Sequence, residues 1–182
     1  VSAAGGATGS VAGQIARIIG CKTIGIAGTQ EKLDWIMSDL GFDHGINYKT
    51  ENVEDQLRKT CPEGIDVYFD NVAGPILDAV LANIAVHGRV ALSGMMENYN
   101  NDEPVPGPYQ FDMLLMRRAT ITGFLSRDFF PRMEESDSQM RTWIDQDLIS
   151  LRFDETEDIE NAVTAYKNLF EGKNIGKSII KI

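Results

Sequence analysis

Cysteine and histidine are scarce in this chain: Cys21, Cys61, His44 and His87 are the only ones in 182 residues, and no CxxC spacing occurs. Neither a disulfide framework nor a clustered metal site can be drawn from so few ligands, and two reduced structural thiols are the simpler reading. Basic residues are also short, with 17 Lys and Arg against 27 Asp and Glu, a net charge of −10. A surface that coats nucleic-acid phosphates has the opposite balance, so no nucleic-acid partner is expected, while a local cationic pocket for one small anion stays open. No apolar run approaches the roughly 20 residues that span a bilayer, and no export signal is recognisable. The expectation is a cytoplasmic chain without membrane association. HExxH and nucleophile-elbow signatures are absent as well, which sets covalent and metal chemistry aside. An initiator methionine is missing, and residues 1–4 read as the end of a strand, so the chain is expected to be a fragment that has lost upstream sequence.

What is present is a rhythm. With 43% hydrophobic residues the chain can bury a core. "SVAGQIARIIG" places Val11, Ile15, Ile18 and Ile19 at helical spacing, and "EKLDWIMSDLG" does so with Leu33, Ile36, Met37 and Leu40. Between and after them come the short strands "KTIGIAG", "HGINY", "IDVYFDNV" and "GRVALSG", with further helices in "VEDQLRKTC" and "PILDAVLANI". Strands alternating with helices of about ten residues imply right-handed crossovers and a parallel sheet covered on both faces, the doubly wound α/β class. The rhythm breaks over residues 95–112, a long loop rich in Asn, Pro and Gly, then returns with a strand in "ATITGFL", a helix in "QMRTWIDQDLIS", a helix in "DIENAVTAYKNLFEG" and a strand in "KSIIKI".

The glycines of "AGGATG", residues 4–9, stand where the first strand should turn into the first helix. This is the dinucleotide fingerprint GxGxxG with alanine at its first glycine: Gly6 would let the backbone approach a pyrophosphate, and Gly9 would let helix and strand pack closely. Glycine turns also serve packing alone, and methyltransferases use a similar one, but the βαβ setting favours a nucleotide. An NAD site usually offers an acid at the end of the second strand, about 20 residues on. Here that strand ends in Gly28, Thr29 and Gln30, and Lys32 stands two residues later, suited to the extra phosphate of NADP or to an ordinary solvated surface, with Glu31 beside it counting against the phosphate. Asn71 in "FDNVAG" and Tyr99 in "SGMMENYN" sit where open α/β sheets bind ligands, each balanced by a turn or packing role. Asp66 and Asp70 are read as sharing one face of a strand, and Met95 and Met96 as packing.

Together, "VSAAGGATGSVAGQIA", "GTQEK", "LGFDHGINYK", "GIDVYFDNVAG", "GRVALSGMMENYN" and "GKNIGKSIIKI" resemble the zinc-independent medium-chain dehydrogenases/reductases. Within these the chain is most similar to the prostaglandin reductase and leukotriene hydroxydehydrogenase branch, with its NADPH-dependent alkenal and enone reductases. The resemblance implies a Rossmann fold over residues 1–147. It assigns residues 148–182 to a C-terminal segment that returns to a second, mostly missing GroES-like domain. It implies NADP(H) as cofactor, a small-molecule enone or enal as substrate, and a homodimer for which "ATITGFL" is a candidate edge.

By position, the resemblance puts Gly6, Ala7, Thr8 and Gly9 at the pyrophosphate, Lys32 and Tyr48 at the adenosine phosphate, and Asn71 near the ribose and diphosphate. It puts Tyr99 at the nicotinamide ribose with a catalytic, substrate-orienting role, Phe124, Leu125 and Ser126 at the carboxamide, and Asn174 over the cofactor. The implied reaction is hydride transfer from NADPH to the carbon–carbon double bond of an α,β-unsaturated ketone or aldehyde, the fragment alone being inactive. A noncatalytic dinucleotide-binding module, a quinone reductase-like protein and a methyltransferase are the alternatives. Ala73, where the family commonly has glycine, and a poor match over residues 113–140 are the departures.

Overall fold

The computed structural model describes residues 1–100, 103 and 105–182, so residues 101, 102 and 104 of the expected 95–112 loop lie outside the described residues. Helix α1 (Ala7–Ile18) precedes β1 (Ile24–Ala27), α2 (Gln30–Ser38), β2 (His44–Asn47), α3 (Val53–Thr60), β3 (Ile65–Asp70), α4 (Gly74–Ala82) and β4 (Ile84–Leu92). Then come a 3-10 turn (Met96–Asn100), α5 (Asp112–Arg117), β5 (Thr120–Gly123), a second 3-10 turn (Ser126–Arg132), α6 (Met133–Asp145), β6 (Phe153–Glu157), α7 (Ala162–Phe170) and β7 (Lys177–Lys181). Among the described residues every strand pairing is parallel: β1 with β2, β3 with β4 with β5, and β6 with β7. This is the expected α/β architecture.

Residues 1–4 join the first two of these sheets. The Ser2 N–H donates to the Phe69 carbonyl on β3, while the Ile26 N–H of β1 donates to the Val1 carbonyl. The segment therefore lies between β1 and β3, although it is not the regular strand expected. Ala3 takes φ +47°, and the Gly6 N–H closes a tight turn onto its carbonyl at 2.9 Å, which ends the extended run early.

Two apolar clusters flank the strands. One gathers Ile26, Ile46, Tyr68, Val80, Leu81 and Val90; the other gathers Ala27, Leu33, Ile36, Leu40, Phe42 and Ile175. Neighbours Ile26 and Ala27 feed different clusters because successive strand side chains point to opposite faces. Local signals set the helix starts: Thr29 accepts from the Lys32 N–H, and Asn52 accepts from the Asp55 N–H.

Several expectations are corrected. The buried face of α1 is Gly9, Ser10, Gly13 and Gln14, whereas Ile19 is exposed. The Phe42 ring fills the space at Gly13, where an added Cβ would lie 1.8 Å from its tip, so close approach outweighs the aliphatic stripe. Helix α6 begins at Met133, ahead of the expected 139, and the helix expected over 158–172 splits into a 3-10 turn (Ile159–Asn161) and α7. β6 and α5 were not expected at all.

Candidate functional site

The glycine turn works by making room in three directions. A Cβ on Gly9 would lie 2.3 Å from the Ala3 carbonyl oxygen, so glycine there lets α1 press onto residues 3–4. A Cβ on Gly5 would lie 2.8 to 2.9 Å from the stem of Lys32, so that glycine admits the lysine. Gly6 is the N-cap of α1 with no side-chain cap, and it opens with Ala7, Thr8 and Gly9 onto a cavity of about 1340 Å³. The first-turn amides of a helix have no partner within it, and the dipole there favours an anion.

One wall of this cleft is cationic. Lys32 is nearly buried at 9% exposure, and its ammonium donates to the Gly172 carbonyl at 2.6 Å. Burial pushes the Lys32 pKa down, the like charge of Lys49 adds to that, and Asp154 and Glu31 oppose it. Tyr48 is half-exposed, and its phenol covers Gly28, where a Cβ would lie 2.9 Å from the hydroxyl. The Lys49 ammonium stands 5.9 Å from the Tyr48 ring centre. Lys32, Tyr48 and Lys49 thus share one corner of the cleft, at the carboxyl ends of β1 and β2. Lys49 went unnoticed in the sequence, although its place beside Tyr48 in "NYK" was the available signal.

The part of the cleft lined by Asn71 and Val72 rests on a buried carboxylate. Asp70, fully buried at the end of β3, accepts with Oδ1 from the Ser2 hydroxyl, the Tyr68 hydroxyl and the Val72 and Ala73 N–H groups, all within 3.0 Å. Asp66 is exposed while Asp70 is buried, and the ladder between β3 and β4 shifts register between Ile65 and Val67, so the two acids sit in different surroundings. Burial raises the Tyr68 pKa well above its ordinary value, with Asp70 adding to it. Asn71 lines the cleft, but its amide donates to the Ser2 carbonyl at 2.8 Å and so locks the turn as well.

The C-terminal segment forms the rim. The Gly176 N–H donates to the Gly5 carbonyl at 2.8 Å, and the Asn174 amide donates to the Gly176 carbonyl at 2.9 Å. The cleft therefore brings together Gly6, Ala7, Thr8, Gly9, Lys32, Tyr48, Asn71 and Asn174 from segments far apart in sequence. Tyr99, Phe124, Leu125 and Ser126 are not on its walls. Tyr99 is 62% exposed in the first 3-10 turn, Phe124 packs edge-on against Phe69 at 6.0 Å, and Leu125 and Ser126 are exposed. Among the described residues no three His, Cys, Asp or Glu side chains come together where they could hold a metal ion.

The chain is similar to proteins of known chemistry. It is 36% identical to the NADPH-dependent curcumin reductase of Escherichia coli and 38% identical to the NADP(+)-dependent 2-alkenal reductase of Nicotiana tabacum. All of this chain is covered in both, against 54% and 53% of the relatives, so it spans about half the length of the curated relatives it matches. The crystal structure of CurA from Vibrio vulnificus in complex with NADPH superimposes with a TM-score of 0.93 at 38% identity, over 99% of this chain and 55% of that one. Residues 7–142 match the zinc-binding dehydrogenase family, and the chain belongs to it.

Proposed function

We propose that the chain is the NADP-binding part of an oxidoreductase that reduces the carbon–carbon double bond of α,β-unsaturated ketones or aldehydes at the expense of NADPH. The observation that carries the cofactor assignment is the corner of Lys32, Tyr48 and Lys49 beyond β1, where Gly28, Thr29 and Gln30 offer no acid and the next residue, Glu31, lies off the cleft walls and faces Arg152 at 3.6 Å. A carboxylate there would suit a ribose diol; two ammonium groups and a phenol suit a phosphate monoester. The names of the curcumin and 2-alkenal reductases support the reaction. The family's description includes zinc, but the described residues do not fit that ion, and the reading uses none.

Bound nicotinamide supplies the hydride, and the chain's residues bind and orient. In this reading the amides of Ala7, Thr8 and Gly9 face the diphosphate, Asn71 shapes the wall beside it, and Asn174 closes the rim. Tyr99 and the backbone of Phe124, Leu125 and Ser126 serve the nicotinamide and substrate end. Residues 1–147 form the nucleotide domain and residues 148–182 lead back to a substrate domain, as the separate β6–β7 pair supports. The edge position of β5 supports a homodimer, and free Cys21 and Cys61 suit the reducing cytoplasm.

Titration of the protein with NADPH and NADH tests the cofactor, and loss of NADPH absorbance with a simple enone tests the reaction in the full-length protein. NADPH should bind tighter by about tenfold or more, worth ~1.4 kcal/mol. Equal affinities, or preferential binding of S-adenosylmethionine, would sink the proposal.

A further inference from the structure

Lys32 is held at both ends by glycines from opposite ends of the chain. Its stem lies in the space left by Gly5, and its ammonium bonds the Gly172 carbonyl, 140 residues away. Gly172 follows α7 with φ +64°, where its N–H donates to Leu169 and the next N–H donates to Asn168, the pattern of a left-handed helix cap. That cap aims the carbonyl. The strap beyond it is fixed separately, by the Gly176 N–H on Gly5 and the bridge between Gly6 and Gly176. An ammonium carries three protons, so a single carbonyl leaves two for a ligand while removing much of the side chain's freedom.

We infer that Gly172 is a positioning residue: its carbonyl pre-orients the Lys32 ammonium for a phosphate monoester in the cleft, so selection of the phosphorylated dinucleotide depends on the C-terminal strap. The inference rests on the NADP reading above. Lysine rotamer freedom is then lost on folding rather than on binding, and the affinity for the added phosphate is correspondingly higher. A ligand with a free 2′-hydroxyl makes little use of the ammonium and gains nothing from its placement.

The test uses the φ of Gly172. An added side chain there meets nothing within 4 Å, so only backbone conformation separates one substitution from another. Asparagine tolerates the left-handed region and keeps the carbonyl in place; valine does not. NADPH and NADH affinities are measured by calorimetry for the full-length wild type, Gly172→Asn and Gly172→Val. The expected result is a wild-type NADPH/NADH ratio for Gly172→Asn and a ratio lowered on the order of tenfold for Gly172→Val, with NADH affinity unchanged. Three results overturn the inference alone: an unchanged ratio in Gly172→Val, a raised ratio, which would make the carbonyl a competitor, or a parallel fall in both affinities. A wild type with no preference for NADPH overturns the NADP reading and the inference with it.

Discussion

Residues 1–90 and residues 91–170 are packed by different rules. Helix α4, nine residues long, buries Ile76, Leu77, Ala79, Val80 and Leu81, while the thirteen residues of α6 bury none. Nearly all of the buried apolar side chains lie in the first stretch, whereas Leu115, Phe130 and Tyr166 in the second are 79%, 59% and 62% exposed. One region satisfies itself with helices on both faces of parallel strands. The other leaves large apolar side chains in solvent, in keeping with the proposed substrate domain and second copy.

Substitutions that probe burial sharpen this contrast most. Leu81→Ala, in the closed region, should cost about 2–5 kcal/mol in urea unfolding, the range for a large side chain removed from a packed core. Gly9→Ala should cost about 1–3 kcal/mol and abolish NADPH binding, because its methyl group would push α1 off the Ala3 carbonyl. An unaltered midpoint for either would contradict the packing described here.

Lys32→Met should lower the NADPH/NADH ratio by about 10- to 100-fold, the worth of charge-assisted bonds to a phosphate, and calorimetry reads it directly. Tyr68→Phe should cost about 1–3 kcal/mol at neutral pH, since a hydrogen bond to the buried Asp70 carboxylate is lost. The pH dependence has a definite sign. The folded phenol is raised above the ordinary value of 10.0, so its contribution is present below that pH and lost as pH rises past it. The stability gap between wild type and Tyr68→Phe should therefore narrow above pH 10, and a widening gap would refute the assignment. At the small end, Leu115→Ala should shift unfolding of this chain by no more than about 0.5 kcal/mol, because the side chain is already in solvent. A larger loss would show that the second region is closed after all.

Much of the fold was legible because its signals are local. Thr29 and Asn52 cap their helices from within four residues, and Leu33 and Ile36 of α2, with Leu40 just beyond its end, are buried as their spacing foretold. β6 escaped notice because "FDETE" is polar and largely exposed, with no alternation to reveal a strand. The α1 face was misread because glycine carries no hydrophobic signal, yet Gly13 is where Phe42 enters. Half of the cleft was similarly readable: the glycine turn and Lys32 come from residue type and position, and Tyr48 from the family resemblance. Gln14, which pairs with the backbone of Ser150 through both its amide oxygen and its amide nitrogen, could not be read, because its partner is 136 residues away.

By itself the sequence determined the alternation of strands and helices, the glycine turn and the absence of an acid at residues 28–30, since each follows from residue type over a few positions. Tertiary structure alone decided that Gly5 admits Lys32, that Gly172 holds its ammonium and that Asp70 gathers four donors from residues 2, 68, 72 and 73. The physical reason is range. Propensity and periodicity act along the chain, whereas hydrogen bonding and excluded volume act between whatever surfaces the fold brings within a few ångströms.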